Sequence, residues 1–377
     1  MIRFVLAALT TACGSAPGPT APPWGGDSVI IAGHVLYVPA GFSVTIFADN
    51  LSGVRYLARG PRGAVYASLS RAGQIVRLVD SQGTGAADSV AVVLSGLTYP
   101  FGIAFRGDTL YFAEQTAVKR LDPGSTTPVT LVPNLPSGGH ITRTVVFGPD
   151  NLMYVAVGSS CNICAETDSL RAAVTRFNPD GSGGHRFASG LRNSVGLAFN
   201  PTTGELWANN NDRDDIGRQG TTNDVAMTDS LPPEHVNILK AGKWYGWPQC
   251  YLPGKPNPEY PGANCSQVQP PALLVQAHSA PLGLAFYTGT AFPAAYRGDA
   301  FMTFHGSWDR SVPTGAKVVR VHVQGGVPTG SEDFVTGWQL ADGSRWGRPV
   351  GVLVAADGAL LVSDDVGNRI WRIAYGK

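Results

Sequence analysis

The chain has 377 residues, and only 15% are charged, against roughly 25% in an ordinary soluble domain. A formal net charge of +1 excludes a basic field for nucleic acid, and 44% apolar content excludes global disorder. At this length a single core is unusual unless the fold is a barrel, a propeller or a solenoid.

Residues 1–12 read as an export signal: Arg3, a short apolar run Phe4–Leu9, then small residues before Cys13. The run is too short to span a bilayer, and no later run of 18 apolar residues exists. A Cys behind an apolar core and a small residue resembles a lipobox, so Cys13 is the expected lipidation site; plain cleavage nearby is the alternative. Residues 13–38 then form a lipidated N-terminus and a Pro-rich tether (SAPGPTAPPW, 15–24), with the folded domain at 39–377. This predicts a protein exported to the periplasm or cell surface and held to a membrane only by its lipid.

Four cysteines remain: Cys161, Cys164, Cys250 and Cys265. An oxidising compartment allows two disulfides. Nearness in sequence suggests Cys161–Cys164 and Cys250–Cys265, although four cysteines allow three pairings. Zinc would need a second ligand pair at suitable spacing, and none follows.

A repeat runs through the rest. RYLARGPRGAVYASLS (55–70), FGIAFRGDTLYFAEQ (101–115), TVVFGPDNLMYVAVG (144–158), VGLAFNPTTGELWANN (195–210), LGLAFYTGTAF (282–292) with AFMTFHG (300–306), and VGVLVAADGALLVSDD (350–365) each read as strand, polar turn, strand. A third apolar-x-Arg-apolar element follows five of them, as in QIVRLVD (74–80) and RIWRIAY (369–375). Six such units predict an all-β, six-bladed β-propeller. The stretch 211–280 is longer than a blade needs and is expected to be an insertion between blades, a lid or a surface elaboration.

With the first strand of each unit innermost, the residues just before it fall on one rim of the axis. Copy one has Arg55 there, copy two Tyr99–Pro100, copy three His140 and Arg143, copy four Arg192–Asn193, copy five His278, and copy six Arg345 and Arg348. Gly306–Arg310 (GSWDR) is placed to return to the same rim. Such a ring of His and Arg offers anion recognition with a proton acceptor inside it.

Several stretches carry a family resemblance: LPSGGHITRTVVFGPDNLMYVAVGSSCN (135–162), SGLRNSVGLAFNPTTGELWANNNDRDD (189–215), PPEHVNILKAGKWYGWPQC (232–250), HSAPLGLAFYTG (278–289), HGSWDRSVPTGAKVVRV (305–321) and WGRPVGVLVAADGALLVSDD (346–365). Together they resemble the glucose/sorbosone dehydrogenases, six-bladed propellers that use pyrroloquinoline quinone (PQQ), and in detail the sorbosone branch. The resemblance implies His140 as the general base in oxidation of an aldose or sorbosone-like sugar, with hydride passing to the quinone. It implies that Arg192, Asn193, Arg348 and Arg310 hold the cofactor. His278, on the same rim, is added to that set. Ca²⁺, which would polarise the quinone, is assigned to the backbone carbonyls of Asp212 and Arg213. Four departures from the family pattern stand out: Ser159 replaces an acid that orients the base, Val195 a glutamine, Val350 an arginine, and Asp212–Arg213 a small-residue pair in the Ca²⁺ loop.

Two other function classes remain open. A metal-dependent lactonase would draw on Asn209–Asn211, Asp212, Asp214 and Asp215; a non-catalytic surface propeller would bind a sugar or a protein. A dehydrogenase needs a sugar, and, because no CxxCH haem motif is present, a separate electron acceptor.

Overall fold

The structure, a computed structural model, describes residues 25–376. The export signal, Cys13 and the Pro-rich run 15–24 lie outside the described residues. Among the described residues, six blade sheets hold most of the strands, five of four antiparallel strands and one of five, its last strand parallel. In all but blade 4, apolar segments meet across at least one polar turn of two to five residues, as in Val65–Leu69 followed by Gln74–Val79, so the sequence pattern and the strands coincide there.

Blades 1, 2 and 3 begin at Val54–Arg59, Ile103–Arg106 and Arg143–Phe147, and blades 4, 5 and 6 at Leu197–Phe199, Pro281–Phe286 and Pro349–Val354. These first strands pack against one another around the axis, as expected. Gly196 and Gly351 make that approach possible: a Cβ on Gly196 would sit 2.5 Å from the Leu282 carbonyl, and one on Gly351 2.4 Å from the Arg55 carbonyl. Hydroxyls tie blade to blade at the same level, with Thr144 Oγ1 donating to Val195 O and Thr303 Oγ1 to Val350 O, both at 2.5 Å. Phe101, Val195, Leu282 and Val350 close the axis as a buried apolar cluster. The two valines that depart from the family pattern are therefore core residues here.

The ring is closed by joining chain ends. Blade 6 takes its fourth strand, Phe42–Ala48, from the N-terminal side, paired antiparallel with Arg369–Tyr375. Most of the apolar core lies between neighbouring blades, the largest cluster bringing Phe292, Phe301, Phe334, Trp338 and Trp371 together.

Two boundaries differ from the expectation. Residues 27–38 are not tether: Asp27–Ile31 and His34–Val38 form a hairpin, Leu36 and Val38 are fully buried, and Tyr37 pairs with Thr336. Its alternation is short and follows the Pro-rich run directly, which hid it. The stretch 211–280 is not an insertion between blades, because it contains blade 4's third and fourth strands, Glu234–Ile238 and Leu273–Val275. EHVNI lacks the apolar-x-Arg-apolar signature of the other third strands. The extra chain instead forms two excursions within blade 4, one carrying the helix Val225–Ser230 and the other the Cys250–Cys265 disulfide. The second excursion also lends Lys243–Trp244 to the edge of blade 3.

Candidate active site

A cavity of about 120 Å³ opens on the rim that the repeat phase singled out, between blades 3, 4 and 5. Residues before first strands (His140, Arg192, Asn193, His278) meet residues after second strands (Asn211, Asp212, Asp214, Trp308, Asp309) in its wall, with Glu234 beneath. Two loops of opposite direction per blade thus build one site, as the alternating strand order requires.

His140 is oriented from behind. Its Nδ1 lies 3.0 Å from both the carbonyl and the hydroxyl oxygen of Ser159. The Ser159 hydroxyl donates to Cys161 O at 2.6 Å, so its oxygen accepts from the ring. Nδ1 therefore carries the proton and Nε2 keeps its lone pair, free of any hydrogen bond to the described residues. Burial, reinforced by the Arg192 charge, pulls the His140 pKa down to about 4, so the ring is neutral at pH 7. Ser159 thus replaces a carboxylate as orienter of the ring, though not as a counter-charge.

Arg192 is immobilised by the protein itself. Nη2 donates to Asp214 Oδ2 at 2.7 Å and to Asn162 Oδ1 at 3.0 Å, Nη1 to Asp212 O at 2.6 Å, and Nε to Asn162 O at 3.1 Å. The Asp212 carbonyl, one of the two oxygens expected to hold Ca²⁺, thus already accepts Arg192. Arg213 turns away to Glu259, at 2.5 Å. Asn193 lines the cavity, and its side-chain amide makes no hydrogen bond to the described residues.

His278 sits in the left-handed region (φ 58°) with Nε2 2.9 Å from Leu231 O. Its Nδ1 faces Asp309 Oδ2 at 3.3 Å and Asp214 Oδ1 at 3.8 Å. Burial opposes charging of the ring, but Asp214, Asp309 and Glu234 outweigh it and hold the pKa up at about 9. Burial pushes Asp212 up to about 7 and Glu234 up to about 8. Asp214 is held below the usual carboxylate range: burial works against this, but His278 and Arg192 prevail.

Two expected cofactor residues lie outside this cavity. Arg310 donates to Asp229 O and Val312 O, and lines a separate cleft with Thr228 and Ser311. Its guanidinium ties the GSWDR loop to the excursion helix. Arg348 is on the same rim but donates to His305 O at 2.8 Å and Gly306 O at 2.9 Å, beside an Arg55–Asp365–His305 network. Of the lactonase-type candidates, Asn209 and Asn210 are spent on backbone bonds such as Asn209 Nδ2 to Leu282 O, and Asp215 pairs with Arg218; Asn211, Asp212 and Asp214 remain at the cavity. Both proposed disulfides are present.

Sequence reasoning missed Asp309, Glu234 and Asn162. Asp309 adjoins the arginine that drew notice in GSWDR, and Glu234 lies in a strand that was not recognised. Asn162 is the hub of the site. Its side chain takes Arg192 Nη2 and, at 2.8 Å, Asp214 N, and donates to Asp214 O at 3.0 Å; its carbonyl takes Arg192 Nε and Trp247 Nε1. The Cys161–Cys164 bridge closes the loop that carries it. No spacing rule marks such a residue in a sequence.

The TrAA12-like family model matches residues 36–257 and 252–375. The chain belongs to this family. It is 28% identical over 278 residues to a pyrroloquinoline quinone-dependent sugar dehydrogenase of Hypocrea jecorina, which covers 59% of this chain and 61% of that protein. It is 29% identical over 316 residues to a pyrroloquinoline quinone-dependent pyranose dehydrogenase of Coprinopsis cinerea, covering 67% and 42%. An uncharacterized protein of Borreliella burgdorferi is 32% identical over 255 residues, covering 66% and 64%. The chain thus spans about two thirds or less of these relatives' lengths. Among solved structures, the holo PQQ domain of the Coprinopsis cinerea pyranose dehydrogenase superposes with a TM-score of 0.77 at 25% identity, covering 90% of this chain and 97% of that one. A calcium structure of the Trichoderma reesei AA12 enzyme shares the fold, with a TM-score of 0.78 at 23% identity over 96% and 98%.

Proposed function

We propose that this chain is a quinoprotein that oxidises an aldose or sorbosone-like sugar with PQQ, His140 being the general base. The observation that carries the reading is His140 itself: a neutral imidazole whose Nδ1 proton is committed to Ser159 and whose bare Nε2 faces a cavity. Family membership and the PQQ-dependent relatives support the redox class.

The residues present fit PQQ on one condition. Arg192 and His278 on one side, and Asp214 and Asp309 on the other, leave the wall without the excess positive charge that an anionic cofactor needs. Asp309 has a side chain with 0% exposure, and neither of its oxygens accepts a hydrogen bond of good geometry. A cation placed there would satisfy it and offset an anion beside it. The Asn193 amide, the Arg192 edge and that cation would then hold the cofactor. The chemistry PQQ supplies when bound is acceptance of hydride from the sugar carbon.

The chain's own part is proton management. His140 Nε2 takes the hydroxyl proton of the sugar as the C–H bond breaks. The resulting imidazolium keeps its Nδ1 hydrogen bonds to Ser159, and Asp214 partly offsets its charge. The buried apolar cluster at the axis keeps the channel closed behind the site.

The direct test is His140→Ala in the full chain, loaded with PQQ and a divalent cation. Sugar-dependent dye reduction is expected to vanish while PQQ absorption changes persist; full turnover would remove His140 as base. Metal-assisted lactone hydrolysis is the second reading, favoured by Asp214 and Asp309 arriving from different blades. It needs neither quinone nor dye, so lactone cleavage without them would select it. We further propose export and a lipid on Cys13, which mass spectrometry of the membrane fraction would reveal.

A further inference from the structure

We propose that the cleft beside the catalytic cavity is a subsite for a second pyranose ring, with Trp308 as its stacking platform, so that the preferred substrate is a di- or oligosaccharide oxidised at one end. The inference rests on the sugar-oxidising reading of the His140 cavity and adds to it the size of the substrate.

Trp308 lies in the GSWDR loop after blade 5's second strand, Ala300–Phe304, and is 70% exposed. The other six tryptophans among the described residues are buried or half-buried. Its ring stacks on no other aromatic ring or cation among the described residues, and its Nε1 makes no hydrogen bond to them. A large, rigid, amphipathic side chain held open to water in this way is suited to covering something that comes from outside.

The position of Trp308 says where that something would lie. The residue lines the catalytic cavity together with His140 and Asn193, and it also lines an open cleft of about 240 Å³ that it shares with the helix Val225–Ser230. The catalytic cavity holds about 120 Å³, well below the roughly 300 Å³ at which small-molecule pockets begin. It admits the reacting end of a sugar and little else. The remainder of a longer substrate has to leave past Trp308, and the cleft continues from there.

The wall of the cleft has the mixed chemistry that a sugar ring requires. The C–H bonds on one face of a pyranose carry slight positive charge and pack on the negative face of an indole, while the hydroxyls around its edge need donors and acceptors. Val225, 46% exposed, adds apolar surface to that of Trp308. Arg218 and Asn223 add the polar groups, and both are exposed. The Asn223 side chain makes no hydrogen bond to the described residues, and Arg218 has one ion pair, to Asp215 at 3.0 Å. The two walls are also tied to each other. Arg310 Nη1 donates to Asp229 O, and Ser311 N donates to Asp229 Oδ1 at 2.8 Å, so the GSWDR loop and the helix hold one another in place. A monosaccharide seated at His140 leaves this surface uncovered, whereas a disaccharide lays its second ring across it.

The experiment uses the full chain without PQQ, titrated calorimetrically with glucose, maltose and cellobiose. At least one disaccharide is expected to bind tenfold or more tighter than glucose. Trp308→Ala should reduce that ratio to below about twofold, and Val225→Asp, on the wall away from the catalytic cavity, should reduce it at least threefold. Saturation-transfer NMR of the wild-type chain should show contact with both rings of the disaccharide, a readout that needs no variant to fold. Absence of saturable disaccharide binding, equal affinity for glucose and both disaccharides, contact confined to one ring, or an unchanged ratio in Trp308→Ala would each overturn the proposal. Disaccharide binding with these features but without dye reduction in the loaded protein would support the subsite and count against the dehydrogenase reading alone. Dye reduction with glucose and no gain from either disaccharide would overturn the subsite alone.

Discussion

Replacing Asn162 by alanine tests whether the site is built around that residue. The side chain makes three hydrogen bonds: it accepts from Arg192 Nη2 at 3.0 Å and Asp214 N at 2.8 Å, and donates to Asp214 O at 3.0 Å. Each ordinary bond contributes about 0.5–1.5 kcal/mol net, and the one from the guanidinium about 1.5–3 kcal/mol. Asn162 is half-buried, so water replaces part of what is lost. The expected loss is therefore about 3 kcal/mol. Arg192 retains Asp214 Oδ2, Asp212 O and the residue-162 carbonyl, so it stays in place but less tightly. Asn162→Asp keeps the two acceptor contacts, loses the donor, and should cost less than alanine. Urea unfolding followed by tryptophan fluorescence gives both values, provided the slope with denaturant is unchanged. A loss under about 0.5 kcal/mol for Asn162→Ala would refute the hub, because three buried or half-buried polar contacts would then carry no weight.

Val195→Gln places an amide in the apolar axis beside Phe101, Leu282 and Val350, and should destabilise by about 2–3 kcal/mol, read as a lowered melting temperature; an unchanged one would contradict the closed axis. Cys250→Ser with Cys265→Ser opens a link 15 residues long, worth about 3 kcal/mol by loop-closure entropy, and the same urea assay checks it. The His140 pKa is lowered to about 4, below the usual value of 6.5, so the unfolded chain binds this proton first. Its contribution to stability is constant above about pH 6.5 and declines as pH falls from there toward 4. NMR titration should show the His140 ring resonances moving only below about pH 5, and movement centred near 6.5 would contradict its desolvated setting.

The strand pattern was legible because the second strand of each blade is buried on both faces, giving short apolar runs bounded by Gly, Asp or Pro turns. The phase of the repeat also located the rim, and with it His140, Arg192, Asn193 and His278. What phase cannot give is the direction of a long side chain. Arg310 and Arg348 have the right positions, yet local carbonyls of Asp229, Val312, His305 and Gly306 capture their guanidinium groups. Asp309 and Glu234 were hidden for a different reason: their importance comes from burial, a property of the closed ring and not of their neighbours in sequence. The hairpin 27–38 and the last strands of blade 4 were missed because short segments without the arginine signature look like tether and insertion.

We propose that quinone-dependent sugar oxidation takes place in the His140 cavity. The most direct measurement is to titrate the full chain with PQQ in the presence of a divalent cation, following the cofactor's absorption, and then to add a panel of aldoses and an artificial electron acceptor. Saturable binding, with dye reduction that depends on both PQQ and sugar, is the predicted result. A folded protein that binds no PQQ with either Mn²⁺ or Ca²⁺ present would contradict it.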